Sequence, residues 1–200
     1  MPIQSVEKLR EIYGDVSEVA AAKQISALDE HCRHFISLSP FLVLSTSNGQ
    51  SIDASPKGDD PGFVQIDDSG SLLIPDWPGN RRLDGLSNVL AHPQVGLIFL
   101  IPGLRETLRV NGAATIHNES DLLARFERKG KLPITVLRVV PAEIFMHCAK
   151  AFMRAKLWQP ETWPEKQTLP RMIEIIQAHA KTNAYKDEAE MQAKLDATLY

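Results

Sequence analysis

Between Phe41 and His147 the chain is a succession of short apolar runs, each cut after a few residues by Gly, Pro, Asn or Asp, and this spacing constrains the fold more than any other feature. "FLVLSTS" and "SIDASP" flank Asn48-Gly49-Gln50, and Asn48-Gly49 readily takes the positive backbone angles of a tight two-residue turn, so the pair reads as a hairpin. "GFVQI" and "SLLIP" flank Asp67-Asp68-Ser69-Gly70, a second turn signal. Farther on, "QVGLIFLIP" and "ETLRVNGAATIH" meet at Pro102-Gly103 and are expected to pair. "NESDLLARFERKG" makes a short capped helix, and "ITVLRVVPAEIFMH" returns to strand. Six or so strands at hairpin spacing, with one helix inserted among them, argue for an antiparallel barrel rather than a parallel doubly wound sheet.

Helices flank this region on both sides. Val6, Leu9, Ile12 and Tyr13 form one stripe that stops at Gly14, and "SEVAAAKQ" and "DEHCRHFISL" follow with Ser17 and Asp29 as N-caps. Beyond Ala149 come "KAFMRAKLW", a Trp- and Pro-containing loop, "PRMIEIIQAHAK" with Pro170 in its first turn, and a polar helix from about Asp187. The expected architecture is α+β in a single domain over 1–200, with N-terminal helices at 1–40, a barrel core at 41–148 and C-terminal helices at 149–200.

A net charge of -3 with scattered basic residues leaves no electrostatic footprint for nucleic acid or an anionic membrane, which favours a small-molecule partner. The opening "MPIQSVEKLREIYG" is amphipathic rather than signal-like, and no apolar run is long enough to span a bilayer, so a cytoplasmic protein is expected. Cys32 and Cys148 are too few for a disulfide framework and read as buried thiols. His31, Cys32 and His34 suggest a metal at first sight, but no further ligand cluster accompanies them, and no metal is expected.

The stretch "IPDWPGNRRLDGLSN" carries the chemistry. Trp77-Pro78-Gly79 stops the strand before it, Asn80 is placed as N-cap, and Leu83, Leu86, Val89 and Leu90 fall at helical spacing before His92-Pro93. This puts Arg81 and Arg82 in the first helical turn, where positive charge opposes the helix dipole by roughly 0.3–1 kcal/mol per charge. A bound phosphate, accepting backbone N–H groups and both guanidinium forks, resolves the conflict; the alternative is two solvated arginines with stems on apolar surface. No Gly-x-Gly-x-x-Gly or Gly-Lys-Ser/Thr loop is present, so side chains must hold the anion.

In their order, "FLVLSTSNGQSIDASPKG", "GFVQIDDSGSLLIPDWPGNRRLDGLSNVLAHPQVGLIFLIPG" and "ETLRVNGAATI" resemble the flavin-binding split barrels related to pyridoxamine 5'-phosphate oxidase, from Phe41 to Phe145. The resemblance implies an FMN-binding antiparallel split β-barrel with flanking helices. It implies that Asp53, Ala54, Ser55 and Pro56 run along the isoalloxazine ring and that Lys57 approaches the flavin. Ile74, Pro75 and Asp76 would line the cofactor, and Asn80, Arg81 and Arg82 would serve its phosphate end. Family members are homodimers with flavin sites between subunits, so Thr107 would reach FMN from the partner chain. Two positions differ from the better-known oxidases: Ile52 stands where they carry Arg, and Thr107 where they usually carry Gln. Their C-terminal Trp and Arg-His-Asp-Arg-like segment is not reproduced by "IFMHCAKAFMRAKLW", so the likeness is to the flavin site rather than to that activity. Here Lys150 and Arg154, four apart with Trp158 four further on, are expected to share one helix face and line the cleft.

The reading that follows is an FMN-dependent oxidoreductase acting on a small molecule by hydride transfer, with no catalytic acid or base assigned beyond the candidates Lys150, Arg154 and His147. The alternatives are a non-catalytic flavin-binding or sensor protein, or a split-barrel relative that holds a deazaflavin or haem.

Overall fold

In the computed structural model, which describes residues 2–200, the apolar runs become seven strands of one sheet. These are β1 (Phe41–Ser47), β2 (Ile52–Gly58), β3 (Gln65–Ile66), β4 (Leu72–Asp76), β5 (Gln94–Leu100), β6 (Thr107–His117) and β7 (Thr135–His147). They lie in the order β2-β1-β5-β6-β7-β4-β3, and every neighbouring pair is antiparallel. The period-2 pattern sets which face is buried. Leu42, Leu44 and Thr46 of β1 point inward in phase with Val95, Leu97 and Phe99 of β5, with Leu42 opposite Phe99 and Leu44 opposite Leu97.

The sheet curls until its ends meet. Pro56 on the edge strand β2 has no N–H to offer a further strand, and at the other end β3 covers only Leu72 and Leu73 of β4, leaving Ile74–Asp76 with β7 alone. Across the remaining seam the Lys57 ammonium of β2 donates to the Asp76 carboxylate of β4. Side chains rather than a backbone ladder close the circuit. The result is a split antiparallel barrel of the α+β class.

Eight helices surround it among the described residues. Helices α1 (Val6–Tyr13) and α2 (Glu18–Ala22) are capped by Ser5 and Ser17 and bury no residue, so the apolar stripe of α1 faces outward. The Ile25–Ile144 bridge then ties the chain to β7. α3 (Glu30–Leu38) begins where the Asp29 side chain accepts from Cys32 N at 2.8 Å, and it buries Cys32, Phe35 and Ile36 in the core formed by β1, β5, β6 and β7. α4 (Asp84–Ala91) packs on β1, β2 and β6, while α5 (Ser120–Ala124) sets Leu122 and Leu123 against a smaller cluster of Leu73, Phe126 and Val136. α6 (Lys150–Ala155), 3-10 turns at Pro160–Thr162 and Lys166–Thr168, α7 (Met172–Ala180) and α8 (Glu188–Ala197) follow. Among the described residues, no helix is long and apolar enough to cross a membrane.

Three local expectations are corrected. The β1–β2 turn is centred on Gly49-Gln50, because Asn48 Oδ1 accepts from both Gln50 N and Ser51 N, at 2.9 and 2.8 Å. Pro170 lies before the α7 cap, Arg171, rather than inside the helix. Only Cys32 is buried, and burial, aided by the neighbouring Asp29, pushes its thiol up to about 11; Cys148 is exposed.

The long β6–β7 ladder contains one bulge, where the register steps from Asn111–Glu143 to Gly112–Pro141 and so accommodates the proline. A Cβ on Gly112 would stand 2.2 Å from the Val140 carbonyl oxygen, a backbone atom. Gly112→Ala is therefore expected to lower stability by about 1–3 kcal/mol or more, read as a lower urea midpoint at unchanged slope.

Candidate functional site

The seam between β2 and β4 opens into a cavity of about 400 Å³. Strand alternation decides what faces it. Asp53, Ser55 and Lys57 of β2 line the cavity, whereas Ala54 is exposed on the opposite face; Pro56 also lines it at the rim. Asp76 ends β4 on the far wall, Leu44 and Leu86 supply apolar floor, and Ile134 approaches from the start of β7.

The loop after β4 carries the arginines. Trp77-Pro78-Gly79 ends the strand, and Asn80 Oδ1 then accepts from Arg82 N at 3.0 Å, an Asx turn two residues long. Asn80 is thus not the helix cap. α4 begins only at Asp84, after Leu83, so Arg81 and Arg82 precede the helix instead of occupying its first turn. The first turn carries Asp84, the sign that the dipole favours, and the conflict expected from the sequence does not arise. The loop stores a different strain. Arg81 and Leu83 both have φ of 59°, a left-handed conformation that costs a non-glycine residue about 1–3 kcal/mol and gathers at functional sites.

Three carboxylates and three cations share this cavity. Lys57 pairs with Asp76, their side chains 24% and 18% exposed, and Arg82 Nε donates to Asp84 Oδ2 at 2.7 Å on the open surface. Arg81 pairs with no carboxylate among the described residues. Asp53 Oδ2 accepts from Ser55 Oγ at 2.6 Å and lies against Gly85, where an added Cβ would come within 3.0 Å of it. Glycine lets the start of α4 lie directly on β2. Farther along α4, the buried Asn88 Nδ2 donates to Thr46 Oγ1 at 3.2 Å and fixes the helix to β1.

Of the residues singled out from the sequence, Asp53, Ser55, Pro56, Lys57, Asp76, Asn80, Arg81 and Arg82 meet around this cavity. Ile74 points into the core at 1% exposure, and Pro75 lines a second cavity of about 210 Å³ next door. Thr107, Lys150 and Arg154 lie elsewhere. Thr107 pairs with His147 at one end of the β6–β7 ladder, while Thr135 pairs with Asp76 at the other. Lys156 ends α6 in a left-handed conformation, so Trp158 leaves the helix and its Nε1 donates to Leu104 O at 2.7 Å. The shared face expected for Lys150, Arg154 and Trp158 is not formed.

The sequence reading missed Trp77, Asp84, Gly85 and Ile134. Trp77 lines both cavities, although in the sequence it served only as part of a strand stop; a large aromatic beside a basic pair was the available signal. On another surface, Thr115 Oγ1, His117 and Glu119 form a hydrogen-bonded chain at 2.8 and 3.2 Å, but this chain lines neither cavity. No three His, Cys, Asp or Glu side chains among the described residues converge to hold a metal ion.

A model of the pyridoxamine 5'-phosphate oxidase family matches residues 28–148. Solved structures similar to the chain include HupZ from Group A Streptococcus, 14% identical, with a TM-score of 0.47 over 60% of this chain and 93% of that one. General Stress Protein 26 from Bacillus anthracis is 17% identical, with a TM-score of 0.44 over 58% of this chain and 93% of that one. No curated protein matches the sequence.

The Lys57–Asp76 pair is shielded enough to couple its partners measurably. A double-mutant cycle of Lys57→Met and Asp76→Asn is expected to give an interaction of about 1 kcal/mol in urea unfolding, above the level of a freely solvated pair.

Proposed function

Because the chain belongs to the pyridoxamine 5'-phosphate oxidase family, we propose that the seam cavity binds FMN and that the protein is an FMN-dependent oxidoreductase acting on a small molecule. The observation that carries this reading is the convergence of Lys57, Arg81 and Arg82 on one cavity of about 400 Å³, within the range of small-ligand sites. The donor set fits the cofactor. Arg81 has no carboxylate partner, and Arg82 gives only Nε to Asp84, leaving its terminal nitrogens for a phosphate. An arginine pair suits a cofactor that ends in a phosphate.

In this reading Asn80, Arg81 and Arg82 take the phosphate, and the β2 stretch Asp53, Ala54, Ser55 and Pro56 runs along the ring. Ile74, Pro75 and Asp76 back the opposite wall. FMN, when bound, supplies a two-electron redox centre. Lys57, its position fixed by Asp76, would lie at the ring end, where its ammonium would stabilise negative charge on the flavin. Trp77, Leu86 and Ile134 keep water from the ring.

In this reading the site is homodimeric: Thr107, Lys150 and Arg154 line neither cavity of their own chain, and a second copy of the chain would bring them to it. Lys150 and Arg154, both exposed, would then cover the cleft of the partner. Two unpaired cysteines suit a reducing, cytoplasmic setting.

Binding of FMN and of riboflavin, followed by fluorescence titration, tests the phosphate assignment. Wild type is expected to prefer FMN, and the Arg81→Ala/Arg82→Ala variant to lose about 100-fold in FMN affinity while riboflavin is little changed. Equal binding of the two flavins by wild type would contradict the assignment. Tight binding without reoxidation by any small-molecule acceptor would leave a flavin carrier in place of an enzyme.

A further inference from the structure

The second cavity shares Pro56, Lys57, Asp76 and Trp77 with the first, and Leu199 and Tyr200 form part of its wall. Tyr200 is held there by separate contacts. Its ring stands edge-on to Trp77, with centroids 5.0 Å apart and planes at 82°. Its hydroxyl donates to Asp59 Oδ1 at 2.8 Å, its carbonyl oxygen accepts from Lys131 Nζ at 2.5 Å, and Lys129 Nζ lies 5.3 Å from the ring centre.

Asp59 is an unusual partner. Its side chain is only 3% exposed, yet Arg128 Nε approaches Oδ2 no closer than 4.0 Å and has no hydrogen-bond partner itself. Its Oδ1 accepts from Asp60 N at 2.8 Å and from the Tyr200 hydroxyl, so the phenol supplies one of the two hydrogen bonds to this buried carboxylate. The same bond holds the Tyr200 phenol protonated above its ordinary range.

Trp77 needs such support. Its indole Nε1 is buried without a hydrogen-bond partner, so packing alone fixes the ring. Trp77 directly follows Asp76 and begins the turn that delivers Asn80, Arg81 and Arg82. We propose that Tyr200 is a positioning residue of the flavin site: anchored by Asp59, its ring braces Trp77 and thereby sets the Lys57–Asp76 end of the cavity. The inference rests on the flavin reading above.

The brace acts at the ring end and the arginines at the phosphate end, so their variants separate. Tyr200→Ala is expected to weaken FMN and riboflavin alike, by about three- to tenfold, with the ratio of the two affinities unchanged. Tyr200→Phe, which keeps the ring but not the anchor, is expected to fall between this variant and wild type. Wild-type affinity for both flavins in Tyr200→Ala, with only its melting midpoint lowered, would overturn the proposal, as would a loss confined to FMN. Failure of wild type to bind either flavin would overturn the flavin reading. The brace is read independently by acrylamide quenching of Trp77 fluorescence in a Trp158→Phe/Trp163→Phe background: Tyr200→Ala is expected to raise the quenching constant, and an unchanged constant would overturn it.

Discussion

The ion pair between Lys57 and Asp76 spans the one place where the barrel has no backbone ladder. Strand β2 stands at one end of the sheet and β4, with its short partner β3, near the other, so the pair joins elements that the hydrogen-bond order leaves five places apart. Everything assigned to function hangs on that seam. If β2 and β4 were paired through their backbones, no cavity would separate them, and the loop after β4 would have no reason to double back toward β2. A partly shielded ion pair contributes little net stability, because desolvation offsets attraction. Its effect is on geometry, while Leu42, Leu44, Leu97, Phe99 and Val110 hold the barrel together.

The electrostatics of the cavity are balanced in the chain alone. Asp53, Asp76 and Asp84 match Lys57, Arg81 and Arg82 in number, and two of the cations already have partners. An anion arriving at the loop competes with Asp84 for Arg82 but meets Arg81 free of a carboxylate. The left-handed backbone at Arg81 and Leu83 keeps this arrangement from relaxing into a continuous helix that begins at Asn80. Strain there is sustained by the fixed ends, since Asn88 ties α4 to β1 and Trp77 is packed under Tyr200.

Signals short in sequence were legible. Apolar alternation located the strands, turn residues separated them, and Ser17 and Asp29 cap helices as expected. The position of the basic pair beside a cavity could also be read, although its route could not. Asn80 is suited both to an N-cap and to an Asx turn, and local sequence does not rank the two. Contacts distant in sequence were invisible: the Asp59–Tyr200 bond joins residues 141 positions apart, and that Thr107, Lys150 and Arg154 do not line the cavity of their own chain is a matter of tertiary placement, not of residue type. Trp158 was misplaced because nothing in "KAFMRAKLW" marks Lys156 as the left-handed residue that ends α6.

The most direct test of a flavin in the seam is the visible absorbance spectrum of the purified protein after incubation with FMN and removal of the excess, with mass identification of whatever is released on denaturation. The account predicts a yellow protein that retains and releases FMN. A colourless protein that takes up none would contradict it and leave the arginine loop to some other anion.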